Sequence, residues 1–256
     1  MIIKTEGIVL KTFDFRETSL IAVLFTKDYG KVKGVLKGIR KDPKKFGSSL
    51  DKFSVNEIVY YQYSRSDLHL ISECDLKQYF FPVRKEYKRS LAANYFLELV
   101  DTVMPAEQAN NEVYQLMLDC LKTLETIQDI DKLVYIFQIK ILLLSGFSPH
   151  LDSCVKCGHK ISGRVRFSLS SGGLVCPACP TAETTFTFIS RGTVASIIHI
   201  EQSRWDKVLR LGLTTTVKSE LKYILNNFLV YHLEKRIKSA RFLTRETASE
   251  APGRLH

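Results

Sequence analysis

Four of the chain's six cysteines fall in one stretch, CVKCGHKISGRVRFSLSSGGLVCPAC, as two C-x-x-C pairs separated by 18 residues. Thiols in such a pattern can exchange disulfides, help activate a metal-bound water, or close around a metal. Two pairs roughly 15–20 residues apart have the spacing of a tetrahedral zinc site. Each pair forms a tight turn, the intervening hairpin brings the turns together, and four thiolates leave no position open for water or substrate. Closed sites of this kind are structural. Gly158 after the first pair and Gly172 and Gly173 before the second suit the turns, and VRFSLS from Val165 suits a strand. The spacing predicts one structural Zn2+ held by Cys154, Cys157, Cys176 and Cys179.

Rival chemistries fit less well. CPAC resembles a thioredoxin-type redox pair, but that reading needs a helix start in a βαβ unit and leaves the other pair unexplained. A zinc deaminase needs H-x-E followed by P-C-x-x-C; here His199-Ile200-Glu201 comes after the cysteines and Pro177 lies inside its pair. His199 reads as a helix-face histidine, and His159 is a possible substitute ligand where four thiols already suffice. No phosphate-binding G-x-x-x-x-G-K-[ST], G-x-S-x-G or H-E-x-x-H is present. Nothing in the sequence assembles a catalytic constellation.

The second telling stretch is GKVKGVLKGIRKDPKKFG, from Gly30. In a strand, residues two apart share a face, so Lys31, Lys33 and Lys37 project together while Val32 and Leu36 point inward. Gly34 and Gly38 also fall on the inner side, where the missing side chain lets a strand bend around a small barrel. Arg40, Lys41, Lys44 and Lys45 then crowd a loop containing Pro43. A curved strand with a lysine face leading into a basic loop suits the tracking of a nucleic-acid backbone. A lysine face also protects an edge strand from aggregation. Near the other end, YHLEKRIKSARFLTR sets Arg236, Lys238 and Arg241 in or beyond the last turns of a helix. DNA binding and favourable placement at the helix dipole both remain open there.

These residues need elements to position them. GIVLKTF, SLIAVLFT, GKVKGVLKGI, FSVNEIVYYQY and LHLISECDL are rich in β-branched and aromatic residues and predict five strands in the first 80 residues, a small closed sheet. In the last of them Leu68, Leu70, Ser72, Cys74 and Leu76 share one face, which makes Cys74 a core residue. From Pro82 the period changes. Val83, Tyr87, Leu91, Tyr95, Leu99 and Val103 predict one helical stripe ending before Pro105, and Val113, Leu116, Met117, Cys120, Leu121 and Leu124 a second. Leu133–Leu144, apolar on nearly all sides, predicts a central bundle helix ended by Gly146 and Pro149. Further helices are expected near Thr193–Ile200 and from about Val217 to Lys238. The fold class is therefore α+β. An N-terminal five-stranded OB-type β-barrel (1–80) precedes a helical domain (81–150 and 190–243), into which a four-cysteine zinc-binding module (151–189) is inserted, and 244–256 is a frayed tail.

The chain's 256 residues, 45% of them hydrophobic, suffice for a sizeable core. MIIKTEG lacks the layout of a secretory signal, and the most apolar run, LVYIFQIKILLLSGF, is interrupted by Gln138 and Lys140 and too short to span a bilayer. The expectation is a cytoplasmic protein with reduced thiols and no membrane association. The formal charge of +10 is uneven: residues 1–80 carry +4, 81–153 carry −3, 154–189 carry +3 and 190–256 carry +6. A basic balance at both ends suggests nucleic acid as the partner.

At these residues the chain resembles the RecO family of bacterial DNA repair proteins. The resemblance runs through GIVLKTFDFRETSLIAVLFTKDYGKVKGVLKGIRK, FGSSLDKFSVNEIVYY, GFSPHLDSCVKCG, FSLSSGGLVCPAC and YHLEKRIKSARFL, in that order and spacing. It implies an OB barrel, a helical domain and a zinc-binding insertion. It also implies a recombination mediator, nucleoid-associated and not an enzyme. Such a protein binds single- and double-stranded DNA, anneals complementary strands and engages single-stranded-DNA-binding protein. With RecR it helps load RecA onto coated strands. Without the resemblance, a zinc-ribbon nucleic-acid-processing enzyme and a sequence-specific DNA-binding regulator remain compatible with the residues.

Overall fold

The computed structural model describes residues 1–42, 46, 50–161, 165–180, 187–233 and 237–240. Lys44, Lys45, Arg236, Arg241 and the tail from residue 244 lie outside the described residues. The chain divides into two compact units, Met1–Ile130 with Ile237–His256, and Asp131–Arg236.

In the first unit, β1 (Ile2–Phe15), β2 (Ser19–Thr26), β3 (Gly30–Leu36), β4 (Val55–Tyr61) and β5 (His69–Gln78) close into a barrel in the order β1-β2-β3-β5-β4. The one parallel pair, β3 with β5, closes it through Gly34↔His69 and Val35↔Leu70. A Cβ on Gly34 would sit 2.5 Å from Ile71 Cγ1, so closure at this point requires glycine. Ile3, Val9, Leu24, Val32, Leu36, Ile58, Tyr60, Ile71 and Cys74 fill the interior. The outer side of β1 is covered by helix as well, which leaves Ile8 and Leu10 as buried as Val9.

The face expected for β5 is wrong although Cys74 is in the core. Val59 pairs with Glu73 but Tyr60 pairs with Ile71, so Ser72 is an extra, bulged residue that reverses the alternation. His69, Ile71 and Cys74 are buried, and Leu76 is 42% exposed. β3 also ends sooner than expected. Lys37 and Gly38 form the following turn, where Gly38, at φ +77°, accepts hydrogen bonds from the Lys41 and Asp42 N–H groups. Gly38 is thus a turn residue, not an inward-facing strand position.

The stripe expected from Val83 to Val103 is two helices, α1 (Phe81–Lys85) and α2 (Tyr87–Val103), separated by Glu86 at φ −101°, ψ 121°. A strict four-residue repeat drifts about 40° per turn against the 3.6-residue helix, and Tyr87 is 63% exposed. α3 (Asn111–Leu124) is capped by Asn110, whose side chain accepts from Val113 N–H, and it buries all six predicted residues, including Cys120. Helices α2 and α3 are tied to the barrel by Lys11–Asp101 and by Tyr114 Oη donating to Glu6.

The second unit holds α4 (Ile130–Leu144), α5 (Arg191–Gln202), α6 (Trp205–Arg210) and α7 (Thr215–Leu233), with a sheet of β6 (Val165–Ser168), β7 (Gly173–Val175) and β8 (Thr187–Ile189) in the order β7-β6-β8. α4 is buried nearly all round, and its two lysines have structural work. Lys132 Nζ donates to the carbonyls of Leu209 and Leu211, and Lys140 Nζ to those of Glu201 and Ser203. They satisfy carbonyls that the ends of α6 and α5 leave unpaired. Burial pulls the Lys140 ammonium below its ordinary pKa, against the opposing pull of Glu201. Glu220 of α7 caps the start of α5 by accepting from Ser190 N–H and from the Ser190 and Thr193 hydroxyls. No helix among the described residues is long and apolar enough to cross a membrane.

Candidate metal centre and nucleic-acid interface

The two C-x-x-C turns meet beside β6 and β7. In the first, Gly158 at φ +73° donates to the Cys154 carbonyl, and Cys154 N–H donates to the His159 carbonyl. Val155 N–H donates to Leu174 of β7, which pins this turn to the sheet. In the second, Cys179 N–H donates to Cys176 O, and Arg166 of β6 donates to the carbonyls of both Cys176 and Cys179. No sequence pattern marks Arg166 for this role.

The four Sγ atoms lie within 4.8 Å of one another, with Cys154–Cys179 at 3.9 Å and Cys157–Cys176 at 3.7 Å. These are not disulfides, which need an S–S distance of about 2.05 Å. Zinc–sulfur bonds of about 2.3 Å in a tetrahedron place sulfurs roughly 3.8 Å apart, so the cluster could hold a metal ion of that size. Its electrostatics also call for a cation. Burial opposes ionisation of Cys154, but N–H groups of Cys176, Cys157 and Lys156 outweigh it and bring the thiol down to about 6. Hydrogen bonds with Cys176 and Cys157, with burial added, push Cys179 up to about 12. Four thiols this close cannot all ionise unless positive charge joins them. His159 is exposed and contributes only its backbone to the turn.

Of the predicted DNA-binding residues, the structure treats each differently. Lys33, Lys37 and Lys41 are exposed and make no ion pair among the described residues. Arg40 is exposed and pairs with Asp14 of the β1–β2 hairpin. Lys31 is not free. Its side chain is 20% exposed, lies 3.3 Å from Asp101 Oδ1, and donates to the Asp101 carbonyl at 2.7 Å. Lys238 is exposed, and its backbone N–H, with the N–H and hydroxyl of Ser239, is held by the Glu98 carboxylate. Burial alone would raise the pKa of Glu98, but the bonds from Ser239 and Lys238 hold it below the usual carboxylate range. Lys238 borders a cavity of about 450 Å3 that Lys11 and Lys52 also line.

Two residues escaped the sequence reading. Lys11 of β1 stands in one cross-strand row with Val23 of β2 and Lys33 of β3, and Phe13, next on the same face, is 48% exposed. Both lie in GIVLKTF at the right alternation. Only the register, shifted by the bulge between Val9 and Lys11, brings Lys11 into the row of Lys33, with Phe13 one position along the same face.

The comparisons with known proteins agree with this architecture. Residues 1–80 match the family model "Recombination protein O N terminal" and residues 84–241 match "Recombination protein O C terminal". Among curated proteins, the DNA repair protein RecO of Desulfatibacillum aliphaticivorans is 31% identical over 247 residues, covering 94% of this chain and 96% of its own. That of Syntrophus aciditrophicus (strain SB) is 30% identical over 244 residues, covering 94% of each chain. That of Alkaliphilus metalliredigens (strain QYMF) is 30% identical over 236 residues, covering 92% of this chain and 95% of its own. Family models matched over residues 1–80 and 84–241, and relatives 30–31% identical over more than nine-tenths of the chain, place it in the RecO family of DNA repair proteins.

Proposed function

We propose that this protein is a DNA-binding recombination mediator that anneals complementary single strands. With RecR it helps load RecA onto strands coated by single-stranded-DNA-binding protein. It acts by binding single- and double-stranded DNA rather than by catalysis, in the cytoplasm and in association with the nucleoid. The barrel of residues 1–80 is the nucleic-acid-binding domain, residues 81–150 and 190–243 form the helical domain, and 151–189 is a structural Zn2+ module. Bound at Cys154, Cys157, Cys176 and Cys179, zinc would neutralise the thiolates and cross-link two turns, with no ligand position left for a substrate.

The observation that carries this reading is a set of exposed lysines, Lys33 of β3 and Lys37 and Lys41 of the turn after it, that make no ion pair among the described residues and belong to a closed OB-like barrel. Cations on a small barrel's outer face suit phosphate contacts that ignore base identity. Lys44, Lys45, Arg236, Lys238 and Arg241 would add to the same sequence-blind attraction. Charge reversal at Lys33 and Lys37 tests it. Both variants should weaken binding of labelled single-stranded DNA, and each lost contact should flatten the log–log salt dependence by about 0.7. Unchanged affinity and slope in both would put the DNA path elsewhere.

A further inference from the structure

The outer face of the barrel carries a groove of about 500 Å3 with a lining both charged and apolar. Its floor is Val23, flanked by Lys11 and Lys33 in the same cross-strand row. Phe13 forms one side, its ring nearly half exposed, with Lys11 Nζ 5.7 Å from the ring centroid. On the other side Asp101 of α2 reaches in. Its Oδ2 accepts from Lys11 Nζ at 2.7 Å and its Oδ1 lies 3.3 Å from Lys31 Nζ. A carboxylate therefore occupies the position between two lysines where a phosphate would be drawn, beside a half-exposed aromatic ring.

We propose that this groove is a single-nucleotide subsite for single-stranded DNA, with the base on Phe13 and a phosphate displacing the Asp101 carboxylate from Lys11. The inference rests on the reading of the barrel as the DNA-binding domain. A nucleotide matches the apolar and cationic parts of the lining, a π-face for Phe13, an apolar edge for Val23, one phosphate for Lys11 and its neighbour for Lys33; Asp67 and Glu107 line the groove as well. Stacking on a lone aromatic tolerates any base, as a sequence-blind binder requires. Asp101 makes binding an exchange of anions. The charged lining, Lys11, Lys31 and Lys33 against Asp67, Asp101 and Glu107, is formally neutral with it and carries one positive charge without it. The exchange holds affinity down, which lets an annealed product leave.

The test is binding of labelled oligothymidylate to the full-length, metal-loaded protein across a salt series. Phe13→Ala should weaken binding by about fivefold or more, the loss of one base–aromatic stack, at unchanged salt slope. Lys11→Gln should flatten the slope by about 0.7, and Asp101→Asn should tighten binding and steepen the slope by about 0.7. In the Lys11→Gln background the gain from Asp101→Asn should shrink, because the two side chains share one contact. The proposal is overturned if Asp101→Asn folds and melts like the parent yet binds no more tightly, or if Phe13→Ala binds as the parent does. Should Asp101→Asn fail to fold, Phe13→Ala and Lys11→Gln decide: weaker binding at unchanged slope for the first and a flattened slope for the second. If Lys33→Glu weakens binding while these variants do nothing, the subsite falls and the barrel's DNA role stands. If the parent binds no oligothymidylate, both fall.

Discussion

Each cysteine of the cluster does a separable job. Cys154 is buried and draws N–H groups from Lys156 and Cys176 to its sulfur, so it is the thiol of the four most ready to ionise. Cys157 is exposed at the opposite edge, 3.7 Å from Cys176. Cys157→Ser should therefore abolish tight zinc binding without opening a cavity in the core. We expect about one zinc per chain in the parent and far less in the variant. Protease should cut the 150–180 region of the variant, and of the parent after chelation, because metal binding and local folding are one equilibrium here. Freely reactive thiols at all four positions in a zinc-free but protease-resistant parent would sink the site. Binding must expel thiol protons, so zinc affinity should also fall as pH is lowered.

Among the elements, β3 carries two demands on opposite faces. Outward it presents Lys33; inward, Gly34 lets it close on β5 with Ile71 only 2.5 Å from a hypothetical Cβ. Gly34→Val forces overpacking in a full interior and should cost about 1–3 kcal/mol, read as a lower urea midpoint. Ile71→Ala in that background should recover part of the loss, since the two side chains contend for one space. An unchanged midpoint for Gly34→Val would mean the barrel closes by some other pairing. The helices show the same division of labour. Lys140 of α4 looks like an interruption in an apolar run, yet with Lys132 it satisfies the carbonyls at the ends of α5 and α6.

For the whole molecule, the proposed annealing function would follow from charge without fuel. Annealing two complementary strands is downhill, since stacking contributes on average about 1.4 kcal/mol per base-pair step. The obstacle is mutual repulsion of two polyanions and any protein coating them. A chain of net charge +10 with exposed lysines on and beside its barrel would lower that barrier. The zinc-loaded protein should therefore accelerate annealing of strands coated by single-stranded-DNA-binding protein with no ATP present, and raised salt should weaken the effect. Reversing charge at Lys33 and Lys37 should impair annealing while zinc content and melting stay as in the parent. An annealing rate equal to the protein-free rate, under conditions where both strands are bound, would defeat the mediator reading.

The sequence by itself determined what depends on neighbours along the chain. The two C-x-x-C turns, the stripe of α3 from Val113 to Leu124, the five strands and the exposure of Lys33 all follow from local spacing and periodicity. Tertiary structure decided whatever depends on register or on partners far away in sequence. Ser72, as one bulged residue, put Leu70 on the opposite face from Cys74, because strand alternation has a period of two and a single insertion reverses it. Glu86 split one apparent stripe into two helices. Lys31 has the same strand position as a free lysine but is held by Asp101, 70 residues on. Phe13 and Lys11 joined Lys33 only when β1, β2 and β3 paired. Local pattern states which face a side chain takes; only the closed barrel and the helix laid against it state what it meets there.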